Sequence, residues 1–260
     1  LIFYFSGTGN TKFVATELAK LLGDEAVNVT GLLQKGNYGP FNSEKPFILC
    51  APTYVCEAPR FFNDFVRKAI FTGCKDVYYI STSGGYSGIS GNVIGSIIRR
   101  KKLNYKGCAE FVLAQNYIAN KKHTRPSDEV IKQRILTTKE KIISVAETIK
   151  AGGKLKSRHV WLLELLIDFP SNPVMSYIGH KIKGFTVDSR CIACGKCEKN
   201  CPVSAIKMQD GKPVWHGSTC AHCMACIQNC PVESINFRDR TQNRKRYRFD
   251  DFRYVLNQSE

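Results

Sequence analysis

Acidic residues are the scarce class here: 22 Asp and Glu stand against 38 Lys and Arg in 260 residues, a formal charge of +16. A surface so basic steers acidic partners toward it and speeds their encounter. It could also meet nucleic acid, yet no nucleic-acid-binding motif accompanies the charge, and no nucleic-acid partner is expected. Long apolar runs are missing too. The longest, Val160–Phe169, is about ten residues and contains Glu164 and Asp168, too short and too charged to span a bilayer, so no transmembrane segment is expected. The chain opens LIFYF and passes straight into a glycine loop, so no export signal and a cytoplasmic setting are expected. Neither of the nucleotide loops GxxxxGK-Ser/Thr and GxGxxG is present. No acid–base pair stands beside the candidate loops, and no catalytic residue is assigned.

Cysteine, by contrast, is plentiful, with twelve in the chain. Eight of them fall in two runs, CIACGKCEKNCP from Cys191 and CAHCMACIQNCP from Cys220. Each run has the spacing C-x2-C-x2-C-x3-C-P, which wraps a cubane iron–sulfur cluster, the fourth cysteine of each run turning to the other cluster. Cys191, Cys194, Cys197 and Cys230 are therefore assigned to one 4Fe–4S cluster, and Cys220, Cys223, Cys226 and Cys201 to a second. Zinc sites instead pair one C-x2-C with a distant C-x2-C or histidine pair, and disulfides would suit a secreted chain. The remaining Cys50, Cys56, Cys74 and Cys108 are read as small buried hydrophobes.

The two runs are also an internal repeat with an offset of 29 (220 − 191), matching Asn200 to Asn229, Val203 to Val232 and Ile206 to Ile235. Repeats that cannot bury a face alone pair with their copy. Between them Asp210-Gly211 is a hairpin turn signal. Ile206, Met208, Val214, Ile235 and Phe237 are expected to pack around the clusters. Over about residues 185–238 the sequence resembles the bacterial two-cluster ferredoxins, with all eight ligands and Pro202 and Pro231 in place.

At the front, Leu1–Phe5 reads as a buried strand, Ser6 to Thr11 as the loop SGTGNT, and the next stretch as a helix with Val14, Leu18, Leu21 and Leu22 on one face. Strand, small-residue loop and helix make an anion site: loop amides and the helix N-terminus face a phosphate, and Ser6, Thr8 and Thr11 can donate as well. With no lysine in the loop, a phosphomonoester held without metal fits better than ATP or a dinucleotide. A short turn with no ligand is the alternative. This loop resembles the phosphate loop of the flavodoxin family, S/T-x-T-G-N-T, and the resemblance covers about residues 1–150. It implies an α/β, doubly wound, five-stranded parallel sheet in the order 2-1-3-4-5. It implies FMN, with the phosphate on Ser6, Gly7, Thr8, Gly9, Asn10 and Thr11. It also implies ring loops at Pro52, Thr53, Tyr54 and Val55, and at Ser83, Gly84, Gly85, Tyr86 and Gly88, with Tyr54 or Tyr86 available to stack. The second loop, TYVCEAP, departs from the family in having no glycine to flip toward the reduced flavin, so the one- or two-electron habit of the flavin stays open.

Read independently, the first 150 residues alternate strands (Ala26–Val29, Pro46–Ala51, Val77–Thr82, Cys108–Ala114) with helices (Arg60–Ile70, one finishing over Val93–Lys102, and Asp128–Lys150), the pattern of a parallel sheet. Gly36–Ser43 reads as a turn-rich loop. Residues 151–184 form a linker, with a helix over Val160–Ile167 packed between domains and broken by Pro170 and Pro173. Residues 185–238 are a small α+β unit. Residues 239–260 are a basic tail, with Arg240, Arg244, Lys245, Arg246, Arg248 and Arg253, either a solvated face or a docking strip for an acidic redox partner. As a whole the chain resembles the flavodoxin–ferredoxin fusion proteins of anaerobic microbes. This implies electron transfer between two 4Fe–4S clusters and FMN, to or from a redox partner protein. The alternative is a flavin-dependent reductase of a small acceptor fed by the clusters, with Glu57 the nearest acid–base candidate. With about −2 on each cluster and on the phosphate, the charge would fall to about +10. A homodimer could bring one chain's clusters to the other's flavin.

Overall fold

The structure is a computed structural model that describes residues 1–162, 164, 166, 168, 182–217 and 219–257. Five strands make the central sheet: β1 (Ile2–Tyr4), β2 (Ala26–Asn28), β4 (Phe47–Pro52), β6 (Asp76–Ser83) and β7 (Asn104–Val112). Their spatial order is β2-β1-β4-β6-β7, and every pairing is parallel. Counting these five alone, the order is 2-1-3-4-5, as the resemblance implied. The inner strands are apolar on both faces because helices cover both. On one face Ile48, Cys50, Tyr78 and Ile80 pack with α1 (Asn10–Leu22) and α5 (Asp128–Lys150). On the other, Leu49, Ala51, Val77 and Tyr79 pack with α3 (Arg60–Lys68) and α4 (Ser90–Arg100).

The structure departs from the sequence reading in several places. Leu21 of α1 is exposed, because the buried stripe runs through Val14 and Leu18 and leaves it to one side. The strand Ala26–Asn28 passes directly into a short helix, α2 (Val29–Gln34), which Asn28 caps by accepting from the Thr30 amide at 2.9 Å. The loop Gly36–Ser43 ends in β3 (Phe41–Ser43), which pairs in parallel with β5 (Phe71–Gly73). Strands of three residues show no alternation to detect. They are held by rings instead: Phe3 meets Phe41 at 4.7 Å and Phe47 meets Phe71 at 4.8 Å between centroids.

The start of the linker lies along the outer edge of the sheet. The Leu155 amide donates to Lys106 O at 2.8 Å, and the Cys108 amide donates to Ser157 Oγ at 3.0 Å. Of the expected linker helix, Trp161, Leu162 and Leu166 are 68%, 72% and 67% exposed, so these three side chains are not packed between domains. Pro170 and Pro173 lie outside the described residues.

The second unit pairs β8 (Phe185–Val187) with β11 (Ile235–Phe237), antiparallel, and β9 (Ile206–Gln209) with β10 (Lys212–Trp215) as a hairpin. Asp210 and Gly211 have φ of 49° and 73°, the left-handed pair that a two-residue hairpin turn requires. Ile206, Ile235 and Phe237 are buried and Met208 is half-buried, as expected, but Val214 is 38% exposed. Strand alternation puts Pro213 inward and Val214 out.

The segment expected as an open basic tail folds back onto the first unit. A 3-10 helix, Phe249–Asn257, buries Phe249, Phe252 and Val255 against α1 and α5. Phe249 stacks on Phe13 at 4.5 Å, and the Tyr247 hydroxyl donates to Asn10 Oδ1 at 2.6 Å. Most of its cations are engaged internally. Arg244 donates to the carbonyls of Ile118, Asn120 and His123, and buried Arg246 to those of Ile235 and Thr241. Lys245, Arg248 and Arg253 pair with Asp128, Asp251 and Asp250. Among the described residues no helix is long and apolar enough to cross a membrane.

Candidate functional site

The cysteine runs repeat in backbone as well as in sequence. Residues at the same offset are left-handed in both copies: Ala193 and His222 (φ 54° and 45°), Gly195 and Met224 (68° and 59°), Ser204 and Glu233 (51° and 48°). Such conformations cost a non-glycine residue roughly 1 kcal/mol or more, and they persist where the surroundings impose them. Here they curl each run around a pocket. The short helices Lys196–Lys199 and Ala225–Gln228 then carry the third cysteine of each run, Cys197 and Cys226.

Cys191, Cys194, Cys197 and Cys230 line one pocket of ≈ 320 Å³, with Met208, Pro213 and Ile235 among its walls. Cys201, Cys220, Cys223 and Cys226 line a second of ≈ 360 Å³, with Phe185, Trp215 and His222, and Cys197 belongs to both linings, so the pockets share a wall. Hydrogen bonds reach the sulfurs. The Ala205 amide donates to Cys201 Sγ at 3.2 Å, the His222 amide to Cys220 Sγ at 3.3 Å, and Ser234 Oγ lies 3.4 Å from Cys230 Sγ. Trp215 stacks on Phe185, and its indole N–H is buried with no partner. An acceptor inside the pocket, such as a cluster sulfide, is what that N–H lacks. Among the described residues no three Cys, His, Asp or Glu side chains converge as a single metal ion would need; the thiols stand around the pockets instead.

A third pocket, ≈ 380 Å³, lies where the sheet's carboxyl ends meet the N-terminus of α1. Ser6, Gly7, Thr8, Asn10 and Thr11 line it, with Pro52, Thr53 and Tyr54 from the second loop and Ser83 and Gly84 from the third. Gly9, Val55, Gly85, Tyr86 and Gly88 are not part of that lining. Thr82, Ala114, Gln115 and Asn116 are, and the sequence reading did not name them. Only their place at the ends of β6 and β7 could have flagged them. Asn116 Nδ2 donates to Thr8 Oγ1 at 2.5 Å, Asn10 Nδ2 to Ala114 O at 3.1 Å, and the hydroxyls of Thr11 and Thr82 are 2.8 Å apart. Ser6 Oγ accepts from the Gly9 amide at 3.0 Å, which draws the loop into a cradle. Among the described residues no Lys or Arg lines the pocket. A phosphate there would be held by loop amides, hydroxyls and the first-turn amides of α1, which have no intrahelical partner.

The second and third loops are in direct contact. A Cβ on Gly88 (φ +56°) would fall 2.3 Å from Cys56 O, and the Ile89 amide donates to that oxygen at 2.9 Å. Tyr86 lies to the side: Arg158 sits over its ring at 5.0 Å and its hydroxyl donates to Asp168 Oδ2 at 2.8 Å. Burial is the main cause that pushes the Cys56 thiol up to about 11 and the Glu57 carboxyl up to about 7, with Asp168 adding to both.

The third pocket abuts the second unit. A Cβ on Gly7 would lie 2.6 Å from Cys223 O and 3.4 Å from the Tyr54 hydroxyl, so only glycine allows the two backbones this close. Tyr54 and Cys223 pack against one apolar cluster. Asn229 Nδ2 donates to Gly7 O at 2.8 Å, Gln228 Nε2 to Asn116 O at 2.7 Å, and Gln228 Oε1 accepts from the Tyr247 amide at 2.8 Å.

Residues 190–234 match the 4Fe–4S dicluster domain. No curated protein matches the chain. Among solved structures, a flavodoxin of Streptococcus pneumoniae TIGR4 aligns over 58% of this chain and 97% of its own, at 17% identity and a TM-score of 0.37. Rubredoxin oxygen:oxidoreductase of Desulfovibrio gigas aligns over 58% of this chain and 36% of its own, at 15% and 0.31. The Trp repressor binding protein of Bacillus subtilis aligns over 57% and 96%, at 14% and 0.29. From the sheet order and the matched cysteine segment, the chain joins a flavodoxin-like α/β unit to a 4Fe–4S dicluster domain in one polypeptide.

Proposed function

We propose that the chain is an electron-transfer protein that passes low-potential electrons between two 4Fe–4S clusters and FMN, to or from a redox partner protein. One observation carries this reading: the eight cysteines sort into two adjoining pockets, and one of these abuts the phosphate-loop pocket through Gly7, Tyr54 and Cys223. Cys191, Cys194, Cys197 and Cys230 would hold one cluster, and Cys201, Cys220, Cys223 and Cys226 the other. The loop from Ser6 to Thr11 would hold the phosphate, with the ring placed by residues of the second and third loops. When bound, the clusters supply one-electron steps and the flavin a store for two. The chain's part is to hold these groups close, keep water off the sulfurs with Ile206, Ile235 and Phe237, and set potentials through hydrogen bonds such as those to Cys201 and Cys220. No side chain need act as acid or base.

Anaerobic purification, an absorbance spectrum, and iron, sulfide and flavin analysis test the proposal. About eight irons with matching sulfide and one FMN per chain are expected. Zinc without sulfide, or no flavin, would overturn it.

A further inference from the structure

We propose that the three pockets form one line with a single outside terminal. The pocket of Cys191, Cys194, Cys197 and Cys230 meets the external carrier protein, the pocket of Cys201, Cys220, Cys223 and Cys226 is the relay, and Tyr54 joins the relay to the phosphate-loop pocket. This rests on the electron-transfer reading above and adds an order and a route to it.

Three observations set the order. The first pocket opens at the surface: Cys194 is exposed and Ile192, at its rim, is 60% exposed. Cys197 lies in the wall shared with the second pocket. The second pocket touches the first unit: Cys223 O stands against Gly7, with Tyr54 beside both, and Tyr54 itself lines the phosphate-loop pocket. Tyr117 of the first unit also reaches the second pocket's wall, its hydroxyl 3.2 Å from His222 Nδ1. A carrier at the Ile192 rim therefore reaches the phosphate-loop pocket by way of the relay. Each passage takes one electron from a reduced carrier, which is oxidised by one electron, and any proton that the reduced flavin takes up is drawn from solvent.

The test uses the holoprotein in two arms. In the first, a soluble dysprosium chelate is added to the reduced protein and the microwave saturation of the two cluster signals is followed by electron paramagnetic resonance. One signal should relax faster and the other should not. Ser234→Ala, which alters only the hydrogen bond to Cys230, should shift that same faster-relaxing signal. Equal relaxation of both signals, or a shift of the protected one, overturns the order. In the second arm a small reduced ferredoxin is the donor in stopped flow. Tyr54→Leu should leave the cluster phases unchanged and slow the flavin phase, and Tyr54→Phe, which keeps the ring, should slow it less. An unchanged flavin phase in Tyr54→Leu overturns the route. If that variant fails to fold or to retain FMN, a flavin phase slowed by about tenfold or more in Tyr54→Phe with normal FMN content overturns the bridging role of the ring, and the relaxation arm still decides the order. Protein that holds no iron or flavin would sink the functional reading itself, whereas these outcomes in loaded protein sink only the order.

Discussion

Glu57 is only 8% exposed, with Asn63 Nδ2 at 3.4 Å as its partner. Its carboxyl titrates near 4.5 when free and about 7 in the fold. Between those values the folded chain keeps a proton that the unfolded chain has released, so stability falls as pH rises through that window and levels off above it. Glu57→Gln should remove this fall. Near about pH 8 it should be more stable than the parent by on the order of 2 kcal/mol, and near about pH 4 no more stable. Melting temperatures of both chains across the range check it. A second residue-scale prediction concerns potential. Hydrogen bonds to sulfur favour the more negative, reduced cluster. Losing one of about 1 kcal/mol lowers a one-electron potential by about 40 mV. Ser234→Ala should lower the potential of the cluster proposed on Cys230, seen by redox titration with its neighbour unchanged. The eight cysteines were legible because their geometry is set by short spacings. Gln115, Asn116, Gln228 and Asn229 were not: a lone amide after a strand or on a short helix has no local signature, and its role appears only when distant loops meet.

At the scale of elements, the C-terminal segment was the least legible. Its charges dominate any count, while Tyr247, Phe249, Phe252 and Val255 sit between them and supply core to the first unit. The three-residue spacing of Phe249, Phe252 and Val255 is the period of a 3-10 helix, which aligns side chains at i and i+3. Phe249→Ala should destabilise the protein by about 3 kcal/mol, read from urea unfolding. The same change should weaken retention of the proposed FMN, since the ring, stacked on Phe13, holds in place the segment whose Phe249 amide donates to Thr8 O at 2.8 Å. Phe47–Pro52, Asp76–Ser83 and Asp128–Lys150 were legible because an apolar run and a 3.6-residue stripe are strong signals.

At the scale of the molecule the two units are not beads on a thread. Ile118 and Ala119 of the first complete the apolar cluster around the cysteine pockets, and residues 247–255 complete the core beneath α1 and α5. A chain truncated before residue 185 should therefore melt well below the parent and bind a dye that reports exposed apolar surface. A truncated chain that melts as the full chain does and binds no dye would show the first unit to be self-sufficient.

The return of Phe249 to Phe13 has a consequence for biogenesis. On the ribosome, α1 emerges early, but the ring that caps it is translated only after both cysteine runs. The first unit would then wait for that ring until the second has folded, and under the proposed function a shortage of iron would be felt as misfolding in the first unit as well.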